Sequence, residues 1–295
     1  MSAKLPLHDS LKADIPKTKW GKVLATTPVV MTVIATLLAG LSSGEMIRAQ
    51  YDRSLAAQQQ SKAGDQWNYF QAKRLRAAQE RSTLDVIRAT TKVYPLDAKR
   101  FDPTSASQQA LDSLAHGTLP AIAPEPVLAE PVAAALAAVE TGRTDAAIAQ
   151  LLKSVKKADL ASALAAASAH VRAFDAALKP VTSDIDKLEK QISPLIEPSF
   201  IAARLTYSAQ RYDTESRQNQ VIAQLLELQV RQSNTSAERH HERSGYFFYG
   251  MLAAQLAVII STLSMAAQKR NTLWAIAAAA GVAAFAFAAY VYLFV

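Results

Sequence analysis

Three stretches of the chain carry no charged side chain for the length of a bilayer crossing: Val23 to Gly44, Tyr246 to Ala267, and Thr272 to Val295. Roughly 20 helical residues at ~1.5 Å rise cross a hydrocarbon core of ~30 Å, so each stretch suffices alone. They predict three transmembrane helices. Aromatic residues mark the ends of these runs, Trp20 and Trp274 at one interface and Tyr246, Tyr249, Tyr290 and Tyr292 at the other. The first run has the basic leader (Lys17, Lys19, Lys22) and small residues (Ser42, Gly44) of a signal peptide. Its apolar core exceeds the ~7–15 residues usual for one, so an uncleaved anchor is expected.

Between the first two spans the pattern is helical. From Glu45 to about Thr91 there is no Pro and one Gly. Apolar residues recur at Ile47, Tyr51 and Leu55, at Trp67 and Phe70, and at Leu84 and Ile87, which predicts one stripe on a helix continuing the first span by roughly 70 Å. Six prolines (Pro95, Pro103, Pro120, Pro124, Pro126, Pro131) then predict a loop or short turns over 95–131. Alanine-rich helix follows. Leu160, Leu164, Ala167, Val171, Phe174 and Leu178 form one seam, and Val181, Ile185, Leu188 and Ile192 another. Lys179-Pro180 predicts a break between them, with Ser183 or Asp184 as the next cap. A return helix from about Ser199 carries Val221, Leu225 and Leu228 on its apolar face, and its stretch Gln232 to Ser244 is polar all round.

The fold class that results is an all-α membrane protein, three transmembrane helices with a long helical hairpin or small bundle between the first and second. Its expected divisions are a basic leader 1–22, a span 23–44, a membrane-proximal helix 45–94 and a Pro/Ala-rich helical insertion 95–198. A return helix 199–245, a span 246–267, a basic turn 268–271 and a final span 272–295 complete it.

Charge adds orientation. Of seven excess positive charges, five lie in residues 1–22 and 268–271, and the positive-inside rule places those segments in the cytoplasm. Residues 45–244 are then expected in the periplasm of a bacterial inner-membrane protein. The basic balance reads as topology and anionic-lipid contact, with no nucleic-acid partner, since the large segment is nearly neutral.

Candidate chemistry is sparse. Without Cys there is no thiol catalysis and no thiolate metal site. Arg239-His240-His241-Glu242 places two His about 100° apart on a helix, so they cannot chelate one ion, and a solvated polar collar is expected. Ser154-Val155-Lys156-Lys157 matches SxxK without its companion motifs. Inside the spans no ionisable residue stands, which argues against proton relays and ion pathways. Gln255 is the one strongly polar side chain at depth and is expected to bond to a neighbouring helix. Small residues spaced by four (Thr36, Gly40, Gly44; Ala253, Ala257, Ser261; Ala277, Gly281) permit close helix approach.

The run Asp65-Gln66-Trp67-Asn68-Tyr69-Phe70-Gln71-Ala72-Lys73 resembles the DQWxYYQAK signature of a family of uncharacterised bacterial membrane proteins, a domain of unknown function. Phe70 replaces the second Tyr. The likeness covers about 23–90 and 199–295 and implies one amino-terminal span, a helical extramembrane segment and a carboxy-terminal span pair joined by a basic turn. It lends no activity. Trp67, Tyr69 and Phe70 are expected to pack against the return helix, and with Gly40, Gly44, Gln255 and Gly281 they are the candidate interaction or packing residues. These features point to a non-enzymatic, cofactor-free helical interaction or scaffold protein, whose partners are the bilayer and other membrane subunits or further copies of the chain. The alternative is a periplasmic helical-bundle sensor acting through a separate signalling partner.

Overall fold

A computed structural model describes residues 19–96, 107–190, 192, 197–266 and 270–294. Most of the basic leader, half of the 268–271 turn, Pro103 and Pro194 lie outside them. Among the described residues all regular structure is helical: α1 (Lys19–Thr90), α2 (Gln108–His116), α3 (Glu130–Glu140), α4 (Asp145–Leu152), α5 (Lys157–Glu189), α6 (Glu197–Ala266) and α7 (Arg270–Phe294). Three of these, α1, α6 and α7, are long and apolar enough to cross a membrane. The chain forms two compact units, residues 1–53 with 235–295, and residues 54–234.

In the first unit α1 and α6 run antiparallel and α7 lies parallel to α1. Ala35, Leu38, Phe247, Ala254, Ala284 and Val291 form its core. Trp274 Nε1 donates to Thr27 Oγ1 at 2.9 Å, holding the third turn of α1 against the second turn of α7. The Tyr246 and Phe287 rings meet edge-on at 6.0 Å near the opposite end. Val29, Val33, Leu37, Leu256, Val282 and Phe285 point outward, as side chains solvated by hydrocarbon do. Thr32 and Thr36 also lie outside, their hydroxyls bonded to the carbonyls of Pro28 and Thr32 at 2.8 and 2.9 Å. Such bonds to the preceding turn satisfy a hydroxyl without a neighbour.

In the second unit α1 and α6 again pair antiparallel, and α2–α5 pack beside them. One core joins Val132, Leu136, Ile148, Leu152 and Leu160 to Leu225 and Leu228. The other joins Leu111 and Leu114 of α2 to Phe174, Leu178, Val181, Ile185 and Leu188 of α5 and Phe200 and Tyr207 of α6. Both seams therefore face the cores as expected, with Leu164 and Val171 half-buried and Ile192 half-buried beyond the end of α5.

Three expectations need correction. Helix α5 passes through Pro180 without a break. The ring removes the hydrogen bond to Ala176 O and costs ~3 kcal/mol. Burying Leu178, Val181, Ile185 and Leu188 on one continuous helix is worth ~1.5–3 kcal/mol per side chain, so packing wins. Asp184 caps no new helix; its Oδ2 accepts from the Ser107 N–H at 3.0 Å, at the start of α2. Second, the segment 95–131 contains a helix, α2, closed by Ser107 at its N-cap and by Gly117 at φ +67°. The αL backbone there suits glycine. Pro131 starts α3 in its first turn rather than interrupting it.

The third correction concerns α1. Ile47 and Tyr51, read as its packing stripe, are 62% and 68% exposed. The rest of that stripe faces inward, with Leu84 buried and Leu55, Trp67, Phe70 and Ile87 half-buried. Most buried positions are others, Met31, Ala35, Leu38, Glu45, Ala49, Asp52, Ala56, Ala63 and Ala77, with Ser42, Gln59 and Lys73 half-buried in the same seven-residue register. On α6 the matching small residues Ala202, Ala209, Ser216, Ala223, Ala237 and Ser244 fall seven or fourteen apart and are all buried. Alanine and serine at one seam position let the two backbones approach closely, and the heptad spacing keeps that seam in contact.

Candidate interaction surface

The seam of α1 carries polar residues at every seventh position, Glu45, Asp52, Gln59, Gln66, Lys73 and Glu80. In the first unit, Ser42 Oγ donates to Ser244 O at 2.9 Å and Ser244 Oγ donates to Ser42 O at 2.8 Å, a reciprocal clasp between α1 and α6. One turn further, buried Glu45 meets His240 Nδ1 at 2.5 Å and accepts from Arg48 at 3.1 Å. His240 is thus turned inward, while His241, Glu238, Arg239 and Glu242 are exposed. The expected solvated collar holds for those four residues and fails for His240.

In the second unit the pairing continues with other chemistry. Gln59 Nε2 donates to Gln229 at 3.4 Å, and Ser233 Oγ donates to Gln59 Oε1 at 3.0 Å. Trp67 Nε1 donates to Glu227 at 2.7 Å, and its ring meets Phe70 edge-on at 5.3 Å. Buried Glu215 binds both Lys73 and, at 2.7 Å, Arg211 Nε. The cations of Lys73, Arg211 and Arg76 stand 5.2, 5.4 and 5.8 Å from the centre of the Tyr212 ring. Burial of Asp175, followed by repulsion from Glu215, raises its carboxyl above the ordinary value, while Lys73 and Arg211 oppose the rise. Asp184, bonded by Lys187 and then by Ser107, is held low, at about 2. The polar pairs of Gln59, Trp67 and Lys73 link α1 and α6 along the seam.

The seven candidate residues divide. Trp67 meets the return helix through Glu227, Phe70 is half-buried against the Trp67 ring, and Tyr69 is 57% exposed. Gly281 is a true close approach, since a Cβ there would collide with Met31 Sδ and Cε. Gly40 and Gly44 have open space where a Cβ would stand, so they do not serve packing within the described chain. Gln255 also faces outward instead of bonding to a neighbouring helix. Gly250, which sequence reading missed, lies against Leu38, with 3.3 Å from its Cβ position to Leu38 Cδ1.

The outward residues share one face of α1. Val33, Leu37, Gly40, Gly44, Ile47 and Tyr51 follow each other at spacings of four and three, all exposed. This is a second helical seam, flat at its glycines and apolar on either side. Ile47 and Tyr51 stand about 5 and 10 Å past Gly44 along the helix axis. The polar residues that do build the α1–α6 seam were missed because a search for large apolar side chains passes over alanine; their seven-residue recurrence was the available signal.

No curated protein and no solved structure matches the chain. A family model of a domain of unknown function, DUF4337, matches residues 20–115, which take in nearly all of α1 and the region of residues 65–73, and the match ends inside the segment 95–198.

Proposed function

We propose that this chain is a membrane-anchored helical interaction protein, a scaffold or accessory subunit of a larger membrane complex with no catalytic role of its own. The observation that carries the reading is the outward seam of α1 from Val33 to Tyr51. Its glycines are open and its large apolar side chains are exposed at and beyond the end of the uncharged run. Charge asymmetry supports a bacterial inner-membrane setting, with the amino terminus in the cytoplasm and residues 45–244 in the periplasm. The partner is another membrane subunit or a second copy of the chain. Purification in mild detergent is the test. A stable companion or a defined oligomer is expected, and Ile47→Asp with Tyr51→Ala should release it while leaving the helix content unchanged. A lone monomer would sink the proposal.

A second reading, a sensor working through a separate signalling partner, draws on an open cavity of about 720 Å³ among Arg88–Leu96, Leu114–Gly117 and the first turns of α6. Ligand-dependent thermal stabilisation of the full chain across a metabolite library would favour it.

A further inference from the structure

An open cleft of about 390 Å³ lies between α1 and α6 in the first unit, with Ser43, Met46, Ile47 and Gln50 on one side and Phe248 and Met251 on the other. It extends from Ala39 to Gln50, so 390 Å³ spread over ~16 Å of helix gives a cross-section of about 24 Å². A helix ~10–12 Å across needs roughly 80–110 Å² and cannot enter. A single methylene chain, in contact with its walls at ~4 Å, fits. At the base, the Ser42 and Ser244 hydroxyls are each bonded to the other's carbonyl, so no free donor there asks for a polar occupant.

The cleft crosses the edge of the hydrocarbon core. The uncharged run of α1 ends at Gly44 and that of α6 starts at Tyr246, so Phe248 and Met251 stand at membrane depth. Gln50 lies about 9 Å past Gly44, at the outer limit of a headgroup layer ~5–8 Å thick. Charge is kept out of the cleft, because Glu45 turns to His240 and Arg48 bonds to Glu45. Arg53, seven residues past Met46 and three past Gln50, is the first charged residue on this side of α1. It is exposed and makes no ion pair among the described residues. We propose that the cleft seats one acyl chain of a phospholipid, whose phosphate is bound by Arg53 and Gln50. The chain lies on Met46, Phe248 and Met251, and the flexible thioethers adapt to its shape. Arg53 reaches back toward the bilayer to meet the phosphate, as long basic side chains do at membrane interfaces. The site shares only Ile47 with the outward seam of α1, and it stands or falls independently of the scaffold reading.

The test uses the full-length chain in mild detergent, titrated with palmitoyl-oleoyl phosphatidylglycerol and followed by native mass spectrometry and thermal unfolding. One lipid retained per chain and a saturable rise in melting temperature are expected. Diacylglycerol with the same chains lacks the phosphate and should bind at least about fivefold more weakly, the effect of one cation at an anionic lipid surface. Arg53→Gln should weaken phosphatidylglycerol by a similar factor. Ser43→Trp, at an exposed position, fills the cleft and should abolish retention while the circular dichroism stays unchanged. Retention untouched by Ser43→Trp overturns the proposal, since the lipid then coats the helices at large. Absence of retained lipid overturns it too, as does equal binding of diacylglycerol or equal stabilisation by inorganic phosphate alone. Loss of an oligomer in Ser43→Trp would make a second copy the occupant and overturn it as well.

Discussion

Glycine does opposite work at two places in the first unit. At Gly281 the missing side chain is filled by Met31; at Gly40 nothing stands in its place. Gly281→Leu should therefore overpack the α1–α7 contact and cost ~1–3 kcal/mol in detergent unfolding. Gly40→Ala should raise the stability of the isolated chain by up to ~1 kcal/mol, because alanine is the better helix former and meets no obstacle. If Gly40→Ala also loses a co-purifying partner, the outward seam is a docking face. Carboxylates in the second unit divide in the same way. The Asp184 carboxyl is held at about 2 in the folded protein, below its ordinary 3.8. Its contribution is present above pH 3.8 and is lost as pH falls toward 2. For Asp175 the shift is upward, so its contribution is present below 3.8 and is lost as pH rises through the folded value. Asp184→Asn should flatten the acid limb of thermal stability measured from pH 5 to 2. Asp175→Asn should instead raise the melting temperature at pH 7 and leave it nearly unchanged at pH 3.

Helices show how much could be read from sequence. The uncharged runs, the unbroken α1 and both seams of α5 were legible because large apolar side chains at helical spacing admit few other arrangements. Pro180 misled because the rule for proline is local, and here the cost is offset by a face that runs on both sides of it. Pro180→Ala restores an N–H within reach of Ala176 O and should stabilise the chain by about 1–3 kcal/mol in thermal or denaturant unfolding. A helix broken at Pro180 would gain nothing. The α1 seam misled for another reason. Its contacts are alanine packing and polar pairs, and a Glu or Lys at a seam position looks like solvent-facing surface until its partner on α6 is known. Glu215 makes this concrete, being buried and bonded to Lys73 and Arg211. Glu215→Gln removes the charge that both cations share and should cost about 3 kcal/mol, far more than an exposed ion pair of ~0–1 kcal/mol.

Sidedness decides which partners the protein can meet, and the orientation proposed above rests on charge alone. The margin rests on residues 1–22 and 268–271, while Arg48, Arg53, Arg231, Arg239 and Arg243 flank the spans on the other face. Two features of the chain turn this into a clean measurement. It has no cysteine, so one introduced thiol is the sole target of a maleimide. Val127 lies between α2 and α3 and is 99% exposed, so Val127→Cys disturbs no packing. A membrane-impermeant maleimide applied to intact spheroplasts should label Val127→Cys at once if residues 45–244 face outward. Protection until the membrane is opened would reverse the orientation. In that case the basic segments lie outside, and the outward seam of α1 presents Ile47 and Tyr51, beyond the end of its uncharged run, to cytoplasmic rather than periplasmic partners. The positive-inside rule weighs Lys and Arg near span ends more than net charge over long loops, so the five flanking arginines are what such a reversal would indict.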